Sequence, residues 1–224
     1  ALKGEAIGLA VITELPLVIV NVQRGGPSTG LPTKTEQADL MQALYGRNGE
    51  SPCIVLAAST PANCFYFAYE AAKLTLQHMT PVILLTDSYL ANGSELMQVP
   101  KTSDLPEIKP PKMEDNAENF YPYHRDPERL NRYWAIPGQP GLRHRVGGLE
   151  KADVTGEVSH DPINHQIMVE QRELKVQKAV EFIPEQQVTG AQEGDLLVVG
   201  WGGTYGALVS AVTDLYEEGK SIGL

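Results

Sequence analysis

The sequence predicts an α/β fold, a parallel sheet flanked by helices and followed by the start of a second α/β domain. Three observations carry that reading. Short apolar runs rich in branched residues recur at 17–22 (LVIVNV), 53–57 and 81–86 (PVILLT), as strands buried on both faces do. A helical pattern separates the second run from the third, and strand, helix, strand in that order implies a right-handed parallel crossover. Residues 195–200 (DLLVVG) then open a second strand-and-helix unit.

The first fifteen residues have helical character, with Leu2, Ala6, Leu9, Ala10 and Ile12 available for burial, until Pro16 delivers the chain into the first strand. That strand ends abruptly in 23–40, QRGGPSTGLPTKTEQADL. Gly25 and Gly26 permit angles or close approaches that a side chain forbids, while Pro27 and Pro32 fix their own φ and remove two amide donors. Thr33 sits three residues before Glu36 as in a capping box, ahead of an amphipathic run over 37–45. Arg24 is thereby expected at a strand end beside a helix N-terminus, the usual place for a ligand in an open α/β sheet.

After the second strand, Ser59-Thr60-Pro61 supplies a cap with proline at the first helical position, and a helix is expected to about Met79. Its core face is predicted at Phe65, Ala68, Tyr69, Ala72 and Leu76. Asp87 closes the third strand. Eight of the sixteen prolines fall between Pro100 and Pro140, so regular structure should be sparse there; Phe120, Tyr121, Tyr123, Tyr133 and Trp134 nevertheless make it an ordered arm. Asp161-Pro162 starts a helix to about Phe182, with Ile163, Ile167, Leu174 and Ala179 as its buried face, and Pro184 stops it. In the last unit a helix over about 204–217 leads to a strand opening at SIGL. The expected organisation is 1–99 for a first α/β domain, 100–190 for the arm and helix, and 191–224 for the beginning of a second domain. The uncapped first helix and the strand just begun lead us to expect a piece of a longer polypeptide.

Composition narrows the function. A net charge of -10 and a pI near 5.0 leave no basic stripe for a nucleic acid, and only RHR at 143–145 is locally basic. Cys53 and Cys64, eleven positions apart, match neither zinc nor iron-sulfur spacing, and are expected as buried free thiols. No apolar run has the length to span a bilayer, and the N-terminus lacks a secretory pattern, so a cytoplasmic protein is expected. His124, His144, His160 and His165 match no metal spacing and are expected on the surface or at caps. The string GWGGTYG at 200–206 departs from the dinucleotide fingerprint at its last glycine, and a tight strand-to-helix turn explains it.

Arg24 is the foremost candidate for chemistry. A guanidinium offers a planar fork matched to a carboxylate, yet an arginine can equally tie down its own loop carbonyls. The residues alone leave both open. Thr29 is either a ligand or a turn residue, with Ser28 able to take its place; Thr33 and Glu36 read as helix caps; Lys34 and Arg47 are the nearest other cations, either solvated or facing a second carboxylate.

Residues 23–40 resemble the corresponding segment of the ferredoxin-dependent 2-oxoacid oxidoreductases, thiamine diphosphate enzymes, and within them the alpha subunit of the 2-oxoglutarate:ferredoxin type. The resemblance continues more weakly through EAIGLA at 5–10, TPVILLTDSYLA at 80–91, AIPG at 135–138 and GWGGTYG. It implies a sheet of the thiamine-pyrimidine-binding type, with Arg24 and Thr29 against the substrate carboxylate and the thiamine end of the pocket, and the amides of Gly25 and Gly26 near the cofactor. Thiamine diphosphate would be shared with a beta subunit that also holds magnesium and an iron-sulfur cluster. The implied reaction is oxidative decarboxylation of 2-oxoglutarate with coenzyme A, electrons passing to ferredoxin. Pyruvate, branched or aryl 2-oxo acids, or a non-catalytic assembly role, are the alternatives. The family's activating glutamate and its YPITP-like loop lie upstream of the segment matching 5–10 and fall outside this sequence; Glu5 and Glu14 are not substitutes. The chain alone is therefore expected to turn over nothing.

Overall fold

The run PVILLTD becomes the middle of the sheet. In the computed structural model, which describes residues 3–116 and 118–224, six helices occur among the described residues. They are α1 (Gly4–Thr13), α2 (Leu40–Tyr45), α3 (Pro61–His78), α4 (Ser88–Asn92), α5 (Pro162–Lys178) and α6 (Tyr205–Glu217). Strand β1 (Leu17–Gln23) and β2 (Ile54–Ala57) pair in parallel with the two sides of β3 (Pro81–Asp87), giving the order β1-β3-β2. A second parallel pair, β4 (Leu196–Leu197) and β5 (Ile222–Gly223), carries α6 between its strands.

Alternation along the strands sorts the core onto two faces. Ile19, Val55, Ala57, Ile83 and Leu85 meet Val11 of α1 and Ala43 of α2, whereas Val18, Ile54, Leu56 and Val82 meet Ala71 and Leu74 of α3 and Val176 of α5. Leu74 and Leu85 are each fully buried, which stabilises the fold by about 2 kcal/mol apiece. The first strand departs from expectation. Because β1 pairs on one side only among the described residues, it is an edge, and Val20 and Val22 are 55% and 49% exposed.

Two local signals, both helix caps, hold. Thr60 caps α3 by accepting from Asn63 N–H at 3.1 Å, with Pro61 at the first helical position. Asp161 caps α5 from Ile163 N–H. The buried faces differ. In α1 the buried residues are Ala10, Val11 and Thr13, with Ala6 and Leu9 exposed and Leu2 outside the described residues. In α3 they are Ala71, Leu74, Thr75 and His78, and Phe65 is exposed against Tyr66. In α5 they are Met168, Arg172 and Lys175, leaving Ile163, Ile167 and Leu174 outside; the helix then tightens at Ala179–Phe182.

Charge explains the inversion in α5. Glu14, fully buried at the left-handed end of α1, accepts from Lys175 Nζ at 2.6 Å and from both terminal nitrogens of Arg125 at 2.6 and 2.8 Å. Arg132 adds a bond to the Glu14 carbonyl at 3.2 Å. One carboxylate thus joins α1, α5 and the proline-rich arm. Burial alone would raise the Glu14 pKa, but the Lys175 ammonium and the Arg125 guanidinium outweigh it and hold the carboxyl well below the usual range. Lys175, losing water and facing two further guanidiniums, is pushed down to about 8. Arg172 is paired likewise, with Glu150 at 3.1 Å and with Glu50. The arm itself has little regular structure beyond isolated bridges such as Lys112–Trp134 and Tyr123–Val154, yet it buries Tyr123, Ala135 and Leu142.

Candidate functional site

Parallel strands end together, and the loops leaving their carboxyl ends are where such sheets place ligands. Here β1 ends in Gln23, directly opposite Asp87 of β3, and residues 24–38 leave as a loop. Helix α2 begins only at Leu40. Thr33 has φ +60°, incompatible with an N-cap, so the capping box expected at Thr33 and Glu36 does not form; the helix start next to this strand end is instead that of α2, whose cap residue Asp39 donates its amide to the Gln23 side chain. Glu36 instead turns back toward Gly25: a Cβ on that glycine would lie 3.1 Å from Glu36 Oε2.

The loop is held at its feet. The buried side-chain amide of Gln23 donates from Nε2 to the Thr86 carbonyl at 3.1 Å and accepts at Oε1 from Asp39 N–H at 3.0 Å. Ser88 Oγ donates to the Gln23 carbonyl at 3.1 Å, and Asn21 Nδ2 donates to Asp39 Oδ2 at 3.1 Å. Higher up, Gly30 N–H donates to the Pro27 carbonyl, and Gly30 has φ +57° with its α-carbon so close to Gly25 that a Cβ would lie 2.4 Å from the Gly25 carbonyl carbon. A glycine is required there on both counts.

Arg24 stands at the foot of this loop, exposed and without a hydrogen bond or ion pair to any described residue. The alternative in which it ties down its own loop is therefore not what the structure contains. Ser28, Thr29 and Lys34 are also exposed. Arg47 is different: it donates to the carbonyls of Ala43, Leu44 and Ser51, closing the end of α2. Gly25 is buried within the loop, whereas Gly26 is exposed and a Cβ there would meet nothing within 4 Å.

The neighbouring strand end is tied across to the second unit. Asp87 Oδ1 accepts from the N–H groups of Tyr89 and Leu90, capping α4, and Oδ2 accepts from Gly203 N–H at 2.8 Å. Gln37 Nε2 donates to the Trp201 carbonyl at 2.8 Å. The GWGGTYG string is indeed a strand-to-helix turn, with Gly202 at φ +67°.

Among the described residues the cysteines and the histidines named from the sequence form no reactive cluster. Burial raises the pKa of Cys53 and, together with the Asp87 carboxylate, that of Cys64, which is only partly buried; neither is poised as a thiolate. His165 meets Glu150 at 2.8 Å, His144 meets Arg132 at 3.2 Å and His124 stacks on Tyr133. Among the described residues no group of three or more His, Cys, Asp or Glu is arranged to hold a metal ion, and no helix is long and apolar enough to cross a membrane. An open cleft of about 830 Å³ runs between β2, α3 and the second unit, lined by Tyr66, Phe67, Tyr69, Trp201 and Tyr205. Its lining contains Glu70 and no cation, so it does not suit an anionic acid.

A parallel α/β sheet with a glycine-bearing loop leaving the carboxyl end of a strand defines the class of open α/β domains that place ligands at that edge. Within that class the chain belongs to the pyruvate flavodoxin/ferredoxin oxidoreductase thiamine diphosphate-binding family, whose profile matches residues 1–161. It is 51% identical over 99% of its length to the 2-oxoglutarate oxidoreductase subunit KorA of Mycobacterium tuberculosis, of which it covers 34%. The 2-oxoglutarate synthase subunit KorA of Archaeoglobus fulgidus is 33% identical, matched over the whole chain and 56% of that relative. Among solved structures, the 2-oxoglutarate:ferredoxin oxidoreductase of Magnetococcus marinus, with 2-oxoglutarate, coenzyme A and succinyl-CoA bound, superimposes with a TM-score of 0.91 at 34% identity, covering 99% of this chain and 38% of that one. The chain thus spans from about a third to somewhat over half of the relatives it matches.

Gln23, Asn21, Asp39 and Gly30 were not singled out by reasoning on the sequence. The signal was present: two amides, Asn21 and Gln23, interrupt an otherwise apolar strand just before the loop they secure.

Proposed function

We propose that this chain is the substrate-binding part of a 2-oxoacid:ferredoxin oxidoreductase alpha subunit, acting on 2-oxoglutarate with coenzyme A to give an acyl-CoA and passing electrons to ferredoxin. The observation that carries the proposal is Arg24, an exposed cation without an internal partner at the carboxyl end of β1, on a loop whose two feet are pinned. Its planar fork would grip the carboxylate beside the reacting carbonyl, and Thr29 would donate its hydroxyl to the same group. Lys34, exposed on the same loop, is available to the distal carboxylate that distinguishes 2-oxoglutarate from pyruvate; Arg47, occupied by carbonyls, is not.

The residues suit the ring end of thiamine diphosphate rather than its diphosphate. Gly26 leaves open space where a flat ring and an exposed amide can meet, whereas the described residues offer no ligand cluster for a metal. When bound, the cofactor supplies the nucleophile and electron sink for cleaving the bond to the carboxyl carbon. This chain's share is to orient the acid and, through Arg24, to fix the angle of attack. The diphosphate, its magnesium and the iron-sulfur cluster are assigned to a beta subunit, in a cytoplasmic complex.

In the assembled enzyme, Arg24→Ala is expected to raise the KM for 2-oxoglutarate by at least tenfold, as befits the loss of a charged hydrogen-bonded pair worth about 1.5 to 3 kcal/mol. Retained cofactor, measured by release and quantitation of thiamine diphosphate, would accompany it. An unaltered KM would refute the assignment.

A further inference from the structure

We infer that Gln23 is a positioning residue, a clasp that sets where Arg24 points; the inference rests on the reading of Arg24 as the carboxylate ligand. The loop of residues 24–38 is largely exposed, so its order cannot come from a core of its own. It comes from the base. Gln23 is 1% exposed, and both ends of its amide are used: Nε2 holds the Thr86 carbonyl of β3, and Oε1 holds the amide of Asp39, the first residue after the loop. A single side chain therefore fastens the exit strand to its neighbour and the returning chain to the exit strand. Its own carbonyl is held by Ser88, which leaves the residue before Arg24 fixed at three atoms.

Two features separate a clasp from ordinary packing. The bonds are directional and buried, so an apolar replacement of the same length keeps the volume but strands the Asp39 amide and takes a side-chain donor from the Thr86 carbonyl. The second fastening, Asn21 Nδ2 to Asp39 Oδ2 at 3.1 Å, acts on the same returning residue from two positions earlier on β1. Both devices converge on Asp39 and neither includes a residue proposed to touch the acid. Loosening them should let the Arg24 fork wander while leaving the chemistry that follows correct seating unchanged.

The test is steady-state oxidation of 2-oxoglutarate by the full-length subunit assembled in its holoenzyme, with ferredoxin reduction as the readout. Gln23→Met is expected to raise KM about tenfold, the change set by losing one or two buried hydrogen bonds, with kcat within about threefold. In the Arg24→Ala background the same substitution should alter KM clearly less than in the wild type, by about twofold to threefold, since only Thr29 and Lys34 remain on the loop for it to position. Gln23→Glu adds a readout that packing would not move. A protonated carboxyl can donate to Thr86 and accept from Asp39 as the amide does, whereas the carboxylate cannot donate, so KM should climb with pH in this variant and in neither wild type nor Gln23→Met.

Should Gln23→Met fail to fold, Asn21→Leu loosens the same foot from a half-buried position, and is expected to raise KM about threefold with the same weakening of effect beside Arg24→Ala. The clasp is overturned if either variant acts equally in both backgrounds, lowers kcat with KM intact, or leaves KM unchanged while Arg24→Ala raises it. If Arg24→Ala itself leaves KM unchanged, the substrate assignment fails and the clasp with it.

Discussion

Replacing Glu14 by Gln tests the claim that one buried carboxylate joins α1, α5 and the arm. The substitution preserves shape and removes the charge. Three charge-assisted hydrogen bonds change character: those from Lys175 Nζ at 2.6 Å and from Arg125 at 2.6 and 2.8 Å. The new amide oxygen still accepts one of them, but the new NH₂ directs hydrogens at a cation. Lys175, 1% exposed, then has no anion, and Arg125 keeps as an anion only Asp153 at 3.9 Å, beside the Leu130 carbonyl. Uncompensated buried charge of this kind costs about 3 to 5 kcal/mol, so Glu14→Gln should lose about 4 kcal/mol in urea unfolding followed by circular dichroism, with the m-value unchanged. Glu14→Gln/Lys175→Met removes the stranded ammonium and should recover about half of that loss. Acid supplies a second check. The native carboxyl is depressed below its unfolded value of 4.5, so its stabilisation is complete above that pH and lost as pH falls beneath it, a loss the Gln variant should not show. A cost under about 1 kcal/mol, or a double variant weaker than the single, would refute the reasoning.

Two further outcomes follow from the fold and the loop. His78 is fully buried with both ring nitrogens unpaired among the described residues, and burial, reinforced by Arg129, Lys175 and Lys73, pushes its pKa down to about 4. Its native form therefore binds fewer protons than the unfolded chain, and stability should fall by up to about 3 kcal/mol between pH 6.5 and 4; His78→Leu should flatten unfolding curves over that range, and an unchanged slope would exclude the effect. Gly30→Ala drives a methyl into the Gly25 backbone at a positive φ, strain of about 1 to 3 kcal/mol, and is expected to raise the 2-oxo acid KM several-fold; wild-type kinetics would show that the loop does not need its present shape.

What the sequence disclosed and what it withheld divide by range. The cap at Thr60 and the proline behind it act on an amide three residues away, and β3 needed only its own apolar run, so both were legible. The face of α5 was not. Lys175 turns inward because Glu14, 161 positions earlier, waits there, and periodicity alone assigns a lysine to water. The site divides in the same way. Arg24 was visible as a cation at a strand end, but the work of Gln23 depends on the β1–β3 register and on a loop that returns at Asp39. The helix start read at Thr33 failed because that residue adopts a left-handed backbone, which its spacing to Glu36 does not reveal.

The carboxylate of Asp87 has a mechanical consequence. One oxygen caps the start of the short helix after the central strand while the other grips the glycine turn that opens the following unit, and the Gln37 amide doubles that grip. A swing of the later unit about this junction would have to break the Gly203 and Trp201 hydrogen bonds together. Whatever displaces the tryptophan turn therefore tugs on the loop that carries the arginine.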